Sequence, residues 1–179
     1  MTSRFLWSAA LLFAGGAFAQ PSPYAGEQAR AIKALSEQEQ RSLLAGEGAG
    51  LARSAELNGF PGPAHVLEHA DALGLTPAQR AATQALRDAH RQRAIRLGQA
   101  LVEAERALDT AFASRSIDAA RLQRLTAEIG SRQAAVREEH LRTHLEQTEL
   151  LTAPQVRQYA VLRGYASAPA THHQHHPTR

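Results

Sequence analysis

Two histidine pairs carry the most specific chemistry in this chain. His65 and His69 stand four residues apart, and so do His140 and His144. On a helix that spacing puts both rings of a pair on one face. Neutral imidazole plus carboxylate is a donor set for Zn²⁺, Ni²⁺, Co²⁺ or Cu²⁺. It is a poor set for Cu(I), which wants soft sulfur. A third group, His172-His173-Gln174-His175-His176, packs four histidines into five residues and binds divalent metal weakly whatever its purpose. The plainer alternative is that all of these rings lie on partly exposed surface with no metal. His90 falls on the apolar stripe of a long helix and reads as a packing residue.

His65-Val66-Leu67-Glu68-His69 is also a literal H-x-x-E-H. In peptidases with that signature both histidines bind zinc and the Glu is the general base. A distant Glu, here Glu146, would complete the site. Such enzymes hold substrate on a larger α/β domain, and no β-branched alternation bounded by turns is visible. No Ser–His–Asp order is visible either. Gly46, Gly48 and Gly50 form G-x-G-x-G with no strand before them, so they do not read as a phosphate cradle. The chain is therefore expected not to be an enzyme and to require no cofactor.

The elements that position these residues are helices. Ser36-Glu37-Gln38-Glu39 is a capping box, and Gly46 breaks the helix it starts. A short segment from Leu51 to Leu57 runs into the breaker cluster Asn58-Gly-Phe-Pro-Gly-Pro63. A short helix from about Ala64 to Leu73 carries the first histidine pair and stops at Gly74. In Leu75-Thr-Pro-Ala-Gln79, Thr76 fits N-cap, Pro77 fits N1 and Gln79 closes a capping box. Leu86, Leu97, Leu101, Ala104, Leu108 and Ala111 then follow a three-four spacing, so Pro77 to Ala113 reads as one long amphipathic helix. Ser116 is placed to cap a second long helix, striped by Leu122, Leu125, Ile129 and Val136 and reaching about Leu150. Leu151-Thr-Ala-Pro-Gln155 repeats the start signal for a last helix to about Arg163. The expected class is all-α: a long antiparallel hairpin with short flanking helices. Each long helix has a narrow apolar face, which makes a homodimer the economical way to cover it.

Composition agrees. Met1-Thr-Ser-Arg4, the apolar run to Phe18 and Ala17-Phe18-Ala19 read as a signal peptide, residues 1–19, cleaved after Ala19. The apolar run is too short for a membrane span, and no second one follows, so a periplasmic protein without a span is expected. Beyond the leader the domain plan is an N-terminal helical and loop extension (20–63), the hairpin domain (64–165) and a disordered His-rich tail (166–179). Without Met1, Arg4 and Trp7 the mature chain has no Met, Trp or Cys, and its formal charge is +2. The missing Cys excludes disulfides, thiolate zinc sites and a Cys nucleophile. Near-balanced charge without interleaved aromatics argues against nucleic acid as a partner.

The two LTxxQ segments, Leu75–Gln79 and Leu151–Gln155, together with the leader and the hairpin, resemble the periplasmic Spy/CpxP family, whose relatives include the metal-responsive ZraP and CnrX proteins. The resemblance spans about Leu75 to Tyr165. It implies a curved, cradle-like homodimer acting as an ATP-independent chaperone or envelope-stress adaptor, with unfolded envelope proteins or a membrane sensor as partners. The alternative it implies is a divalent-metal sensor or metal-binding resistance protein on the same fold. Arginines 80, 87, 91, 93, 96, 121, 124, 132, 137 and 142 line the hairpin and are compatible with holding clients. The CnrX-like sensors draw metal ligands from the two regions that hold the histidine pairs here. Their glutamate from the first long helix falls near Arg87, which cannot ligate, with Asp88 its nearest acidic neighbour.

Overall fold

The computed structural model describes residues 22–167. The leader and the His-rich tail, with His172, His173, His175 and His176, lie outside the described residues. Six α-helices and no strand occur among the described residues: α1 (Glu37–Ala45), α2 (Arg53–Glu56), α3 (Pro63–Glu68), α4 (Pro77–Ala113), α5 (Ala119–Glu149) and α6 (Ala153–Leu162). The fold is all-α, as expected. No helix among the described residues is long and apolar enough to cross a membrane.

The hairpin is α4 against α5. With 37 residues, α4 is about 55 Å long at 1.5 Å per residue. It starts where the sequence places it. Thr76 Oγ1 accepts from the Gln79 amide at 3.1 Å, and the Gln79 side chain accepts from the Thr76 amide at 3.0 Å. The turn into α5 differs from expectation. Asp118 is the N-cap, accepting from the Arg121 amide at 2.7 Å, because Ser116 is still closing α4 through its amide to Ala111 O at 3.0 Å. Arg115, at φ 54°, makes the left-handed step that reverses the chain.

The two LTxxQ motifs meet at the base of the hairpin. Gln79 Nε2 donates to Gln155 Oε1 at 2.9 Å, and Gln155 Nε2 returns a bond to Gln79 Oε1 at 3.1 Å. The second donor of each amide goes to a backbone carbonyl, Leu150 O at 2.9 Å and Leu73 O at 3.3 Å. Each side-chain oxygen also caps its own helix. The donors and acceptors of both amides are thus satisfied, which lets them sit half-buried without a desolvation penalty. Behind them Val66, Ala70, Leu73, Leu75 and Tyr159 form an apolar cluster that fixes α3 and α6 to this end.

The extension before α3 runs back along the hairpin from its tip to its base. Lys33 binds Asp109 through its amide at 3.2 Å and its ammonium at 3.1 Å, near the end of α4. α1 then lies on α4 so closely that a Cβ at Gly98 would overlap Leu43 O. Leu43 and Leu51 pack on Leu101, Ala104, Ile129 and Val136 of the long helices. Part of the cover expected from a second protomer is therefore supplied within the chain. The extension ends over α5, with Gly48 against His140 and Gly62 against His144.

Candidate metal-binding cavity

At the base of the hairpin the extension, α3, α4 and α5 enclose a cavity of about 430 Å³, lined by His65, His90, His140, His144, Glu56 and Arg87 among others. Its position follows from local structure. The Gly48 and Gly62 backbones lie directly on the rings below: a Cβ at Gly62 would meet His144 Cε1 at 2.8 Å, and one at Gly48 would meet His140 Nδ1 at 3.3 Å. Glycine is what permits that approach.

Three of the four paired histidines reach this cavity. His140 and His144 come from successive turns of α5, and His65 from α3. His69 does not line it. His69 keeps its i,i+4 backbone bond to His65, its amide donating to His65 O at 3.1 Å, although α3 ends at Glu68. His69 is its C-cap, at φ −102° and ψ 17°, and residues 69–74 continue as turns. Glu68 of the H-x-x-E-H signature is exposed, and neither it nor His69 lines the cavity.

In place of His69 the structure brings in His90 from α4. Its Nδ1 lies 2.9 Å from Thr143 Oγ1 and 3.1 Å from Glu139 Oε1. Thr143 gives its own proton to Glu139 O at 2.9 Å, so Nδ1 is the donor to both and Nε2 keeps its lone pair. The expected packing role for His90 thus gives way to a polar one. The reason is that the buried layer between α4 and α5 turns polar here, with Thr83, Glu139, Thr143 and Gln147 all buried. His144 shows the same tautomer by a different route: its Nδ1 lies 2.7 Å from Phe60 O, and a carbonyl can only accept. His140 packs edge-on against His90, with centroids 4.7 Å apart. Burial, helped by His90 and His144 beside it and opposed by Glu139, pushes the His140 imidazole down to about 4. It is neutral at physiological pH, the form in which imidazole binds metal.

Two carboxylates stand behind these rings. Burial alone would raise Glu139, but hydrogen bonds from His90 and Arg93 and the Arg93 charge outweigh it and hold the carboxyl below its usual range. Arg93 Nε donates to Glu139 Oε1 at 2.9 Å. Glu56, on α2, accepts from Tyr159 at 2.6 Å and Tyr165 at 3.2 Å through Oε1, with Arg163 Nε 3.4 Å away. Its Oε2 is buried and has no hydrogen-bond partner among the described residues. Burial and the bond to Glu56 push the Tyr159 phenol well above the usual range. Neither Glu56 nor the polar role of His90 follows from the sequence reading. Glu56 lies on a four-residue helix with no periodic signal, while His90 sits one turn after Arg87 and could have been found as the next donor on α4.

The donors line one cavity without converging as they stand. No group of three or more His, Cys, Asp or Glu side chains among the described residues is gathered closely enough to hold an ion.

A family model described as heavy-metal resistance matches residues 6–158. The chain belongs to the heavy-metal resistance family. No curated protein and no solved structure matches it. The family accords with an all-helical chain, and its description suggests possible interaction with metal.

Proposed function

We propose that this family member is a periplasmic divalent-metal-binding protein that takes Zn²⁺, Ni²⁺, Co²⁺ or Cu²⁺ through His65, His90, His140 and His144. The observation that carries the reading is the shared cavity, in which His90 and His144 each spend Nδ1–H on a protein acceptor and leave Nε2 as a donor. That outer bonding is how metal-ligating histidines are usually held. Because the rings do not yet converge, loading requires side-chain movement. His65, whose side chain is 39% exposed, is the freest to supply it. Bound metal would tie α3 to the hairpin and so report its presence as a change in rigidity. The LTxxQ clasp between Gln79 and Gln155 supports the finer kinship with the Spy/CpxP, ZraP and CnrX proteins.

The test is calorimetric titration of Zn²⁺ or Ni²⁺ into the mature chain carrying Ala at His172, His173, His175 and His176. About one ion per chain and a raised Tm are expected. Loss of all tight binding on removing the tail histidines would leave the tail as the sole ligand and end this reading.

A chaperone or stress-adaptor role on the same scaffold has separate support. Phe112, Leu122 and Leu145 are exposed along the hairpin, as are Arg91, Arg96, Arg124 and Arg137. Arg80, Arg87, Arg93, Arg132 and Arg142 are instead engaged by acidic neighbours, which reduces the face available to clients. Suppression of aggregation at low salt, fading as salt rises, is the expected signature. Homodimerisation belongs to this reading, and light scattering at twice the chain mass would support it.

A further inference from the structure

Glu56 is an unusual residue to find at this depth. Its side chain is 13% exposed, and one carboxylate oxygen is buried without any hydrogen bond among the described residues. A buried carboxylate left partly unpaired is costly, so its retention calls for a role that its partners do not already explain. Tyr159, Tyr165 and Arg163 all engage Oε1. They anchor the group to α6 and leave its other oxygen free. Around it stand two histidines from different elements. His65 Nδ1 is 3.8 Å from Oε1, and His144 Nδ1 is 3.7 Å from Oε2. Both rings turn the same atom toward the same carboxylate.

We propose that Glu56 is a positioning residue for His65, a carboxylate that holds this ring in the same Nδ1–H form that Phe60 O gives His144, so that both rings present Nε2 to the cavity. This rests on the metal reading above for its purpose, but not for its observable. At 3.7–3.8 Å the contacts are Coulombic rather than hydrogen bonds. A negative charge in a low-dielectric site still favours the tautomer whose N–H points at it. For His144 the Phe60 carbonyl fixes the same tautomer independently. For His65 no other acceptor is bonded among the described residues, so Glu56 decides. His90 has the parallel arrangement with Glu139. The three rings would then present one kind of nitrogen, backed by two buried carboxylates and a carbonyl. Glu56 also gives the cavity a route to α6, since the group that orients the rings is the group that Tyr159 and Arg163 hold.

The direct test is the imidazole ¹⁵N–¹H correlation spectrum of the metal-free mature chain, where the two ring nitrogens report the tautomer. His65 is expected as the Nδ1–H form in the native protein, and as predominantly Nε2–H in Glu56→Gln. His144 should keep Nδ1–H in both, because Phe60 O remains. Gln retains a side-chain oxygen for the tyrosine hydroxyls, and an unchanged far-ultraviolet spectrum would confirm that the variant folds. The native spectrum alone is decisive if it does not: His65 as Nε2–H in the unsubstituted chain overturns the proposal. So does a Glu56→Gln chain that leaves His65 unchanged. With Zn²⁺ added to the tail-substituted chain, Glu56→Gln should bind about 10-fold more weakly or worse, the usual cost of losing an outer-shell partner. If Zn²⁺ binds neither chain while the tautomers behave as stated, the metal reading fails and the positioning role stands. If Zn²⁺ binds both equally, the positioning role has no bearing on the site and is overturned.

Discussion

The same two helices build two very different interiors. Midway along the hairpin, α4 and α5 meet through Leu101, Ala104, Ile129 and Val136, sealed by Leu43 and Leu51 of the extension. Toward the base they meet through Thr83, His90, Glu139, His140, Thr143 and Gln147. The first is an ordinary apolar seam that gains stability from burial. The second places polar groups at depth, and not all are satisfied: Gln147 Nε2 reaches Thr83 Oγ1 at 3.2 Å while its Oε1 has no partner. An apolar layer would serve stability as well or better there. The contrast teaches that the base of the hairpin is arranged for something other than holding the helices together.

The largest expected effect separates the two interiors by pH. An unfolded His140 takes up a proton near the reference value of about 6.5, whereas the folded one resists until about 4. Between those values the unfolded state binds more protons, so stability falls as pH falls, by about 3 kcal/mol over the whole interval. Glu139, held below its usual range, adds a further loss on moving into acid. Urea midpoints measured from pH 7 to pH 4 should show this, and His140→Gln should flatten the slope. A profile independent of pH in the native chain would mean that His140 is hydrated rather than buried.

Next in size is the apolar seam. A Cβ at Gly98 would overlap Leu43 O, a backbone atom with no rotamer to change. Gly98→Ala should therefore cost about 2 kcal/mol through overpacking, despite the better helix propensity of Ala. Gly130 provides the opposite sign on the facing helix, because a Cβ there would have nothing within 4 Å. Gly130→Ala should gain about 1 kcal/mol. Paired thermal melts would check both, and a shift in the same direction for the two would contradict the close docking of α1.

Much of the scaffold was legible because its signals are local. The bounds of α4 follow from Thr76, Pro77 and Gln79 at one end and Ser114-Arg115-Ser116 at the other. The repeated LTxxQ marks both helix starts through the same capping bonds. Asp118 displaced Ser116 as a cap only because the tight turn consumes Ser116 first. The cavity was only half legible. Spacing points to His65, His140 and His144, but it points equally to His69, which does not line the cavity. His90 joins the site through a contact 49 residues away in sequence, and Glu56 reaches His144 from a different helix, which no periodicity reports. The extension could not be read as cover for the hairpin, because its hold depends on one glycine of α4 fitting one carbonyl of α1.

The smallest expected effect sharpens the comparison most economically. Replacing Gln147 by Met together with Thr83 by Val removes the orphaned oxygen and both ends of the Gln147–Thr83 hydrogen bond at once. Stability should stay within about 1 kcal/mol of the native value or rise. A large loss in urea melts would show that the polar layer holds the hairpin together after all.

The central claim is that the cavity, and not helical spacing, selects the metal donors. Co²⁺ absorption of residues 20–179 with His172, His173, His175 and His176 replaced by Ala tests it directly, because ligand-field bands report inner-sphere nitrogen donors. His90→Ala is predicted to remove most of the Co²⁺ signal and His69→Ala to leave it intact. Loss of the signal in His69→Ala with its retention in His90→Ala would contradict that claim.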